Sequence, residues 1–334
     1  MTSLNKIALK ILSGGKGILA ADESTGTMTK RLESVNVESS EESRLNFRKT
    51  LFSSDSMKSC IGGVILYDET IKQNVGSKTV LELINESGAV AGIKVDTGAK
   101  VLAGSNDEKI TEGLDGLRER LKEYYKLGAR FTKWRGVYSI SDKFPSKLSI
   151  NSNAHALARY AALVQECEMV PVVEPELLMD GDHDIDICYK ATTDVLNECY
   201  NELAIHKVSL KGTVLKPNMV IAGSKCSKPA SSEEIAKKTL DCLKKNVPSD
   251  VPGIAFLSGG QSEQEATKNL DEINKINDTN FLITFSYGRA LQQSALKTWA
   301  KEMKNTKAIH DVFNHRAKMN GLASKGEWSQ GLEA

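Results

Sequence analysis

Six cysteines in 334 residues, none in a Cys-x-x-Cys pair, give neither a disulfide framework nor a thiolate metal site of known spacing. Cys60, Cys167, Cys188, Cys199, Cys226 and Cys242 are scattered, and read as buried or surface thiols in a reducing compartment. No apolar run approaches the roughly 20 residues that span a bilayer. Met1 to Leu12 places Lys6 and Lys10 among its apolar residues and so lacks a signal-peptide core. Neither sign of charge dominates: 44 basic residues face 43 acidic ones, and no long basic run points to nucleic acid or to a membrane surface. No Pro/Gly/Ser-rich linker divides the chain. What remains is 40% apolar and 26% charged, enough for a substantial core. The expectation is a soluble, cytoplasmic protein.

Eight short runs are near-continuously apolar rather than alternating: Gly17–Asp22, Gly62–Tyr67, Ala91–Val95, Ala129–Trp134, Val170–Glu174, Gly212–Lys216, Gly253–Ser258 and Phe281–Ser286. That pattern fits strands buried on both faces of a parallel sheet. Between them lie helix-like segments with start signals: Ser39-Ser40-Glu41-Glu42, Ser231-Ser232-Glu233-Glu234 and Ser262-Glu263-Gln264-Glu265 match the capping box. Asn153 to Met169 and Asp184 to Ala204 read as long helices. Eight alternating strands and helices predict an α/β fold, one (β/α)8 TIM barrel over residues 1–334. A doubly wound sheet with a second domain is the alternative. After Phe313 the helical period fades, which predicts a polar, loose tail from about residue 316.

In a barrel, polar residues with a job cluster at the carboxyl ends of the strands. Asp22, Lys94, Lys133, Glu174 and Lys216 each close one of these runs. Charges inside core runs carry a desolvation cost that solubility does not explain. Lys216, in Thr213-Val214-Leu215-Lys216-Pro217, is the most informative. Burial disfavours its ammonium and favours a nucleophilic amine able to form a Schiff base with a ketone. Pro217 holds Lys216 in extended geometry. A surface-reaching or ion-paired lysine is the plain alternative. Glu174 is the best-placed proton shuttle, Asp22 a second acid or base, and Glu176 a group to position a neighbouring lysine.

The loops after the last two runs, Ser258-Gly259-Gly260 and Gly288-Arg289, suit a phosphate held by backbone N–H groups and a guanidinium. Ser24, Thr27, Lys30 and Arg31, with Lys94, form a second cationic group expected on the opposite side of the mouth. Two anion sites flanking an amine fit a bisphosphorylated ketose. Leu257-Ser258-Gly259-Gly260-Gln261 matches the ABC-type ATPase signature, but no GxxxxGK[ST] accompanies it. Asp180-Gly181-Asp182-His183-Asp184 lacks EF-hand spacing and reads as a polar loop opening a helix. His155, His206, His310 and His315 read as isolated surface or core residues, and no metal ligand set is expected.

Seven ordered motifs resemble class I fructose-bisphosphate aldolase: Gly17-Ile18-Leu19-Ala20-Ala21-Asp22-Glu23-Ser24-Thr25-Gly26, Gly92-Ile93-Lys94-Val95-Asp96, Lys133-Trp134-Arg135, Val173-Glu174-Pro175-Glu176, Leu215-Lys216-Pro217-Asn218-Met219, Phe256-Leu257-Ser258-Gly259-Gly260-Gln261-Ser262 and Ser286-Tyr287-Gly288-Arg289-Ala290. They run from about Gly15 to Trp299. The resemblance implies a cytoplasmic, homotetrameric, metal-independent lyase of glycolysis, with no cofactor beyond a covalent Schiff base. It would cleave fructose 1,6-bisphosphate reversibly to dihydroxyacetone phosphate and glyceraldehyde 3-phosphate. Carried over by position, Lys216 is the nucleophile, Glu174 its acid–base partner, Asp22 the group at the C4 hydroxyl and Lys133 the charge stabiliser oriented by Glu176. Ser258, Gly259, Gly288 and Arg289 would hold the C1 phosphate. Ser24, Thr27 and Lys94 would hold the C6 phosphate, with Lys30, Arg31 and Arg135 lining the site. Thr27 stands where serine is common. The resemblance also implies a mobile tail ending in tyrosine beyond Gly331-Leu332-Glu333-Ala334, needed for fast proton transfer at C3 but not for imine formation. A transaldolase-like Schiff-base enzyme, or a scaffold binding cytoskeletal partners through the basic mouth, are the alternatives.

Overall fold

Runs that are near-continuously apolar can bury both faces, and all eight form parallel strands: β1 (Gly17–Ala21), β2 (Ile61–Leu66), β3 (Val90–Lys94), β4 (Phe131–Tyr138), β5 (Val170–Leu177), β6 (Val214–Leu215), β7 (Gly253–Phe256) and β8 (Leu282–Tyr287). Each pairs in parallel with the next, and β8 returns to pair with β1, closing the barrel. This is the single-domain TIM barrel expected. The computed structural model describes residues 2–105, 107–143 and 145–334. Among the described residues no helix is long and apolar enough to cross a membrane.

The longer helices are α1 (Ser3–Leu12), α2 (Thr25–Glu33), α3 (Glu41–Phe52), α4 (Val80–Glu86), α5 (Leu117–Leu127), α6 (Lys147–Glu166), α7 (Ile185–Ile205), α8 (Ser232–Asn246), α9 (Glu263–Lys275), α10 (Arg289–Lys301) and α11 (Thr306–Ala323). At α9 the capping box forms as the sequence suggests. Ser262 Oγ accepts from Glu265 N at 3.2 Å, and Ser262 N donates to Glu265 Oε2 at 2.9 Å. At α3 the cap falls one residue later, on Ser40 with Ser43 reciprocating, which frees Ser39 to accept from Arg44 and Thr29.

Two cores result. The large outer one lies between strands and helices. The inner one fills the barrel with Ile18, Ile65, Phe131, Val172 and Val214, and Ala8, Ile11 and Leu12 of α1 seal it from below. The seal is tight: a Cβ on Gly62 would lie 2.0 Å from the Ile11 carbonyl oxygen. Inside, a Cβ on Gly92 would lie 2.4 Å from the Phe131 ring, so glycine there makes room for the aromatic. Filled below and open above, the barrel places its polar residues at one mouth.

The C-terminal expectation needs correcting. α11 runs through residue 316 to Ala323, burying Arg316, Met319 and Asn320, and the chain ends in a short 3₁₀ turn over Gln330–Glu333. Arg316 forks onto Glu333 at 2.8 and 2.6 Å, and Trp328 Nε1 donates to the same carboxylate at 2.8 Å. The helical period fades because buried positions on α11 are polar, Arg316 paired with Glu333 and Asn320 Oδ1 accepting from Thr267. Segment 316–333 is packed structure, not a loose tail.

Candidate active site

Every catalytic and phosphate-binding candidate from the sequence lines one cavity of about 1070 Å³ at the carboxyl end of the barrel. Strand period explains how. Lys133 and Arg135 on β4, like Glu174 and Glu176 on β5, are two residues apart and so share a face. These charges sit deeper than the strand ends expected, because β4 continues to Tyr138 and β5 to Leu177. Asp22 follows β1, Lys94 ends β3, and Lys216 follows the two-residue β6, its N–H bound to the Val173 carbonyl at 2.8 Å.

Four of these groups form a chain of opposite charges. Lys133 Nζ lies 2.7 Å from Asp22 Oδ2 and 3.3 Å from Glu174 Oε2, and Lys216 Nζ lies 3.0 Å from Glu174 Oε1. Lys133, Glu174 and Lys216 are each under 5% exposed. Burial alone would raise the Asp22 pKa, but Lys133 and Lys216 outweigh it and hold the carboxyl well below its ordinary 3.8. Glu174 is likewise kept below 4.5 by Lys133, Lys216 and Arg135, against the effect of its burial. Burial lowers the Lys133 pKa, yet Asp22, Glu174 and Asp96 together raise it above 10.5. At neutral pH, therefore, Asp22 and Glu174 are carboxylates and Lys133 is a cation. Glu174 Oε2 has no aligned hydrogen bond among the described residues, which leaves a lone pair free to take a proton.

One pairing differs from expectation. Glu176 binds Arg135, not Lys133. The register opposes Lys133 to Val172, Arg135 to Glu174 and Val137 to Glu176. Each cation thus reaches one pleat further along β5, Lys133 to Glu174 and Arg135 to Glu176.

The cationic groups are also arranged differently. β8 closes on β1, so the loop after β1 adjoins those after β7 and β8 rather than facing them across the mouth. A Cβ on Gly288 would lie 3.4 Å from Arg31 Nη2. Lys94 and Arg135, on β3 and β4, supply charge on the other side. The start of α10 is available to an anion, since Gly288 precedes it with no side-chain cap, whereas at α2 Ser24 Oγ already accepts from Thr27 N at 3.4 Å. Gly259 and Gly260 adopt positive φ, 56° and 87°, turning the chain after β7.

A family model described as Glycolytic: Fructose-bisphosphate aldolase class-I matches residues 3–334. The chain belongs to the class I fructose-bisphosphate aldolase family. It is 52% identical over 328 residues to fructose-bisphosphate aldolase C-B of Danio rerio, covering 97% of this chain and 90% of that protein. It is 48% identical over 327 residues to a probable fructose-bisphosphate aldolase class 1 of Xanthomonas campestris pv. campestris, covering 97% and 98%. A co-crystal structure of the Plasmodium falciparum aldolase with TRAP and a small-molecule inhibitor superposes with a TM-score of 0.97 at 43% identity, over 98% of this chain and 96% of that one. This aldolase is thus a lyase of glycolysis, and its family works through a Schiff base without metal. The transaldolase-like alternative falls to the family match.

In this aldolase three cavity residues escaped the sequence reading. Glu23 is buried and holds Arg31 by one carboxylate oxygen, while Arg48 binds its backbone carbonyl at 2.7 Å. Ser286 Oγ is buried at the cavity without a partner among the described residues, and Gln261 bonds Ser258 O at 2.9 Å. Glu23 adjoins Asp22 and Ser286 closes the eighth apolar run, positions that offered a signal. Gln261 offered none.

Proposed function

We propose that Lys216 attacks the C2 ketone of fructose 1,6-bisphosphate, with Glu174 moving the protons that carbinolamine formation and dehydration require. Asp22 takes the C4 hydroxyl proton as the C3–C4 bond breaks; glyceraldehyde 3-phosphate leaves and the electron pair stays on the enamine at Lys216. Lys133 steadies the negative charge that develops on oxygen, anchored between Asp22 and Glu174. Protonation at C3 and hydrolysis of the imine release dihydroxyacetone phosphate. Ser258, Gly259, Gly288 and Arg289 hold the C1 phosphate, and Ser24, Thr27 and Lys94 the C6 phosphate, with Lys30, Arg31 and Arg135 along the wall. Glu176 positions Arg135. One observation carries this reading: a buried lysine 3.0 Å from a buried carboxylate, in a mouth ringed by cations.

The test is borohydride reduction with dihydroxyacetone phosphate and EDTA, followed by peptide mapping. A stable adduct on Lys216 supports the imine and independence of metal. No adduct, with activity abolished by EDTA, overturns both. We also carry over a homotetramer without cofactor, working in the cytoplasm; light scattering reads the subunit number. The Plasmodium relative was solved with a protein partner. For this chain a cytoskeletal or other anionic partner at the basic mouth is the second reading, and fructose 1,6-bisphosphate should compete with it.

A further inference from the structure

The structure also joins two histidines that the sequence leaves isolated. His155 lies on α6, while Glu202 and His206 stand one turn apart at the end of α7, on one helix face. His155 Nδ1 is 3.0 Å from Glu202 Oε2, and His206 Nδ1 is 3.4 Å from the same oxygen. The rings meet edge to face with centroids 5.0 Å apart, and the three donor atoms lie within 4.8 Å of one another. Zinc bound to nitrogen and oxygen at about 2.1 Å in tetrahedral geometry separates its ligands by about 3.4 Å. The two histidine–carboxylate spacings, 3.0 and 3.4 Å, are already close to those of a coordination shell.

We infer that His155, Glu202 and His206 bind a borderline divalent cation, zinc in the first instance, which clasps α6 to α7 on the outside of the barrel. Two imidazoles and a carboxylate suit zinc over magnesium or calcium, which prefer all-oxygen shells. The His155 side chain is 51% exposed, so the ion can enter from solvent and keep water as its fourth ligand, while Glu202 at 16% is the anchor. Binding needs one local rearrangement. His206 Nδ1 is 2.9 Å from the Glu202 carbonyl oxygen, to which it donates when no ion is bound. On coordination that proton moves to Nε2, leaving the imidazole neutral and the Nδ1 lone pair on the ion. α6 packs against both β4 and β5. The ion would therefore stiffen the layer behind the strands that carry Lys133 and Glu174, with no catalytic step passing through it.

The experiment is calorimetric titration of the EDTA-stripped whole protein with zinc chloride, alongside cobalt(II) absorption as a probe of coordination geometry. One ion per chain is expected at micromolar affinity, with tetrahedral cobalt bands and a raised Tm. His155→Ala and Glu202→Gln should each weaken binding at least tenfold and abolish the cobalt bands, with aldolase activity unchanged. Stoichiometric binding that persists undiminished in both variants overturns the site, assigning the ion to thiols or to the phosphate cavity. Absence of binding at millimolar zinc overturns it too.

Discussion

Replacing Glu174 by Gln keeps the shape of the side chain and removes its charge and its proton capacity. In the folded protein Glu174 stands between two lysines, 3.0 Å from Lys216 and 3.3 Å from Lys133. Lys133 retains Asp22 at 2.7 Å after the change, so the loss falls on Lys216. Removing one partner of a buried pair costs on the order of 3–5 kcal/mol of stability, and the glutamine amide oxygen keeps the effect at the lower end. The chemical effect should be comparable. A positioned acid–base group contributes about 10²–10⁴-fold, or roughly 2.7–5.4 kcal/mol of barrier. Rapid-quench borohydride trapping on Lys216 measures the step directly: adduct formation should slow by that factor, while affinity for a non-reacting bisphosphate stays within about twofold. A Glu174→Gln enzyme that forms the adduct at the wild-type rate, or whose loss lies wholly in KM, refutes the assignment.

Three further outcomes are expected. Asp22 and Glu174 have pKa values lowered by folding, so the stability they contribute is present above their ordinary 3.8 and 4.5 and lost as pH falls through the folded values. The raised Lys133 behaves inversely: its contribution is complete below 10.5 and lost as pH rises beyond it. Tm by calorimetry should thus be flat near neutrality and fall on both flanks, and in Lys133→Met the acid flank should become shallower, because Asp22 and Glu174 are then held less far below their ordinary values; an undiminished acid flank counts against the charge chain. Glu23→Gln frees Arg31 to swing out of the cavity, raising KM for fructose 1,6-bisphosphate about tenfold, or about 1.4 kcal/mol, with kcat changed far less; the reverse split would show that Glu23 acts in the chemistry. Gly62→Ala drives a methyl into the Ile11 carbonyl, costing roughly 3 kcal/mol and several degrees of Tm; a neutral result would mean that α1 is not the barrel's seal.

The sequence by itself determined the eight strands and the ring of reactive residues. Runs such as Ile61–Leu66 are apolar on both faces, and only a layer covered on both sides satisfies that pattern. Lys133, Glu174 and Lys216 stood out because charge inside such runs conflicts with local burial, a conflict that function resolves. Tertiary structure alone decided which group meets which. Glu176 takes Arg135 because the β4–β5 register is offset by one pleat, and register follows from pairing rather than from either strand's composition. Arg31 reaches Gly288 because β8 closes on β1, a contact between residues 257 positions apart that no local pattern encodes. The C-terminal segment misled for the converse reason. Arg316 and Asn320 read as solvated until Glu333 and Thr267 pair with them inside the fold. His155 and His206 likewise look solitary along the chain and become neighbours only where α6 packs on α7. Periodicity reports how much of a segment is buried, whereas the partner of a buried charge depends on closure, register and helix docking.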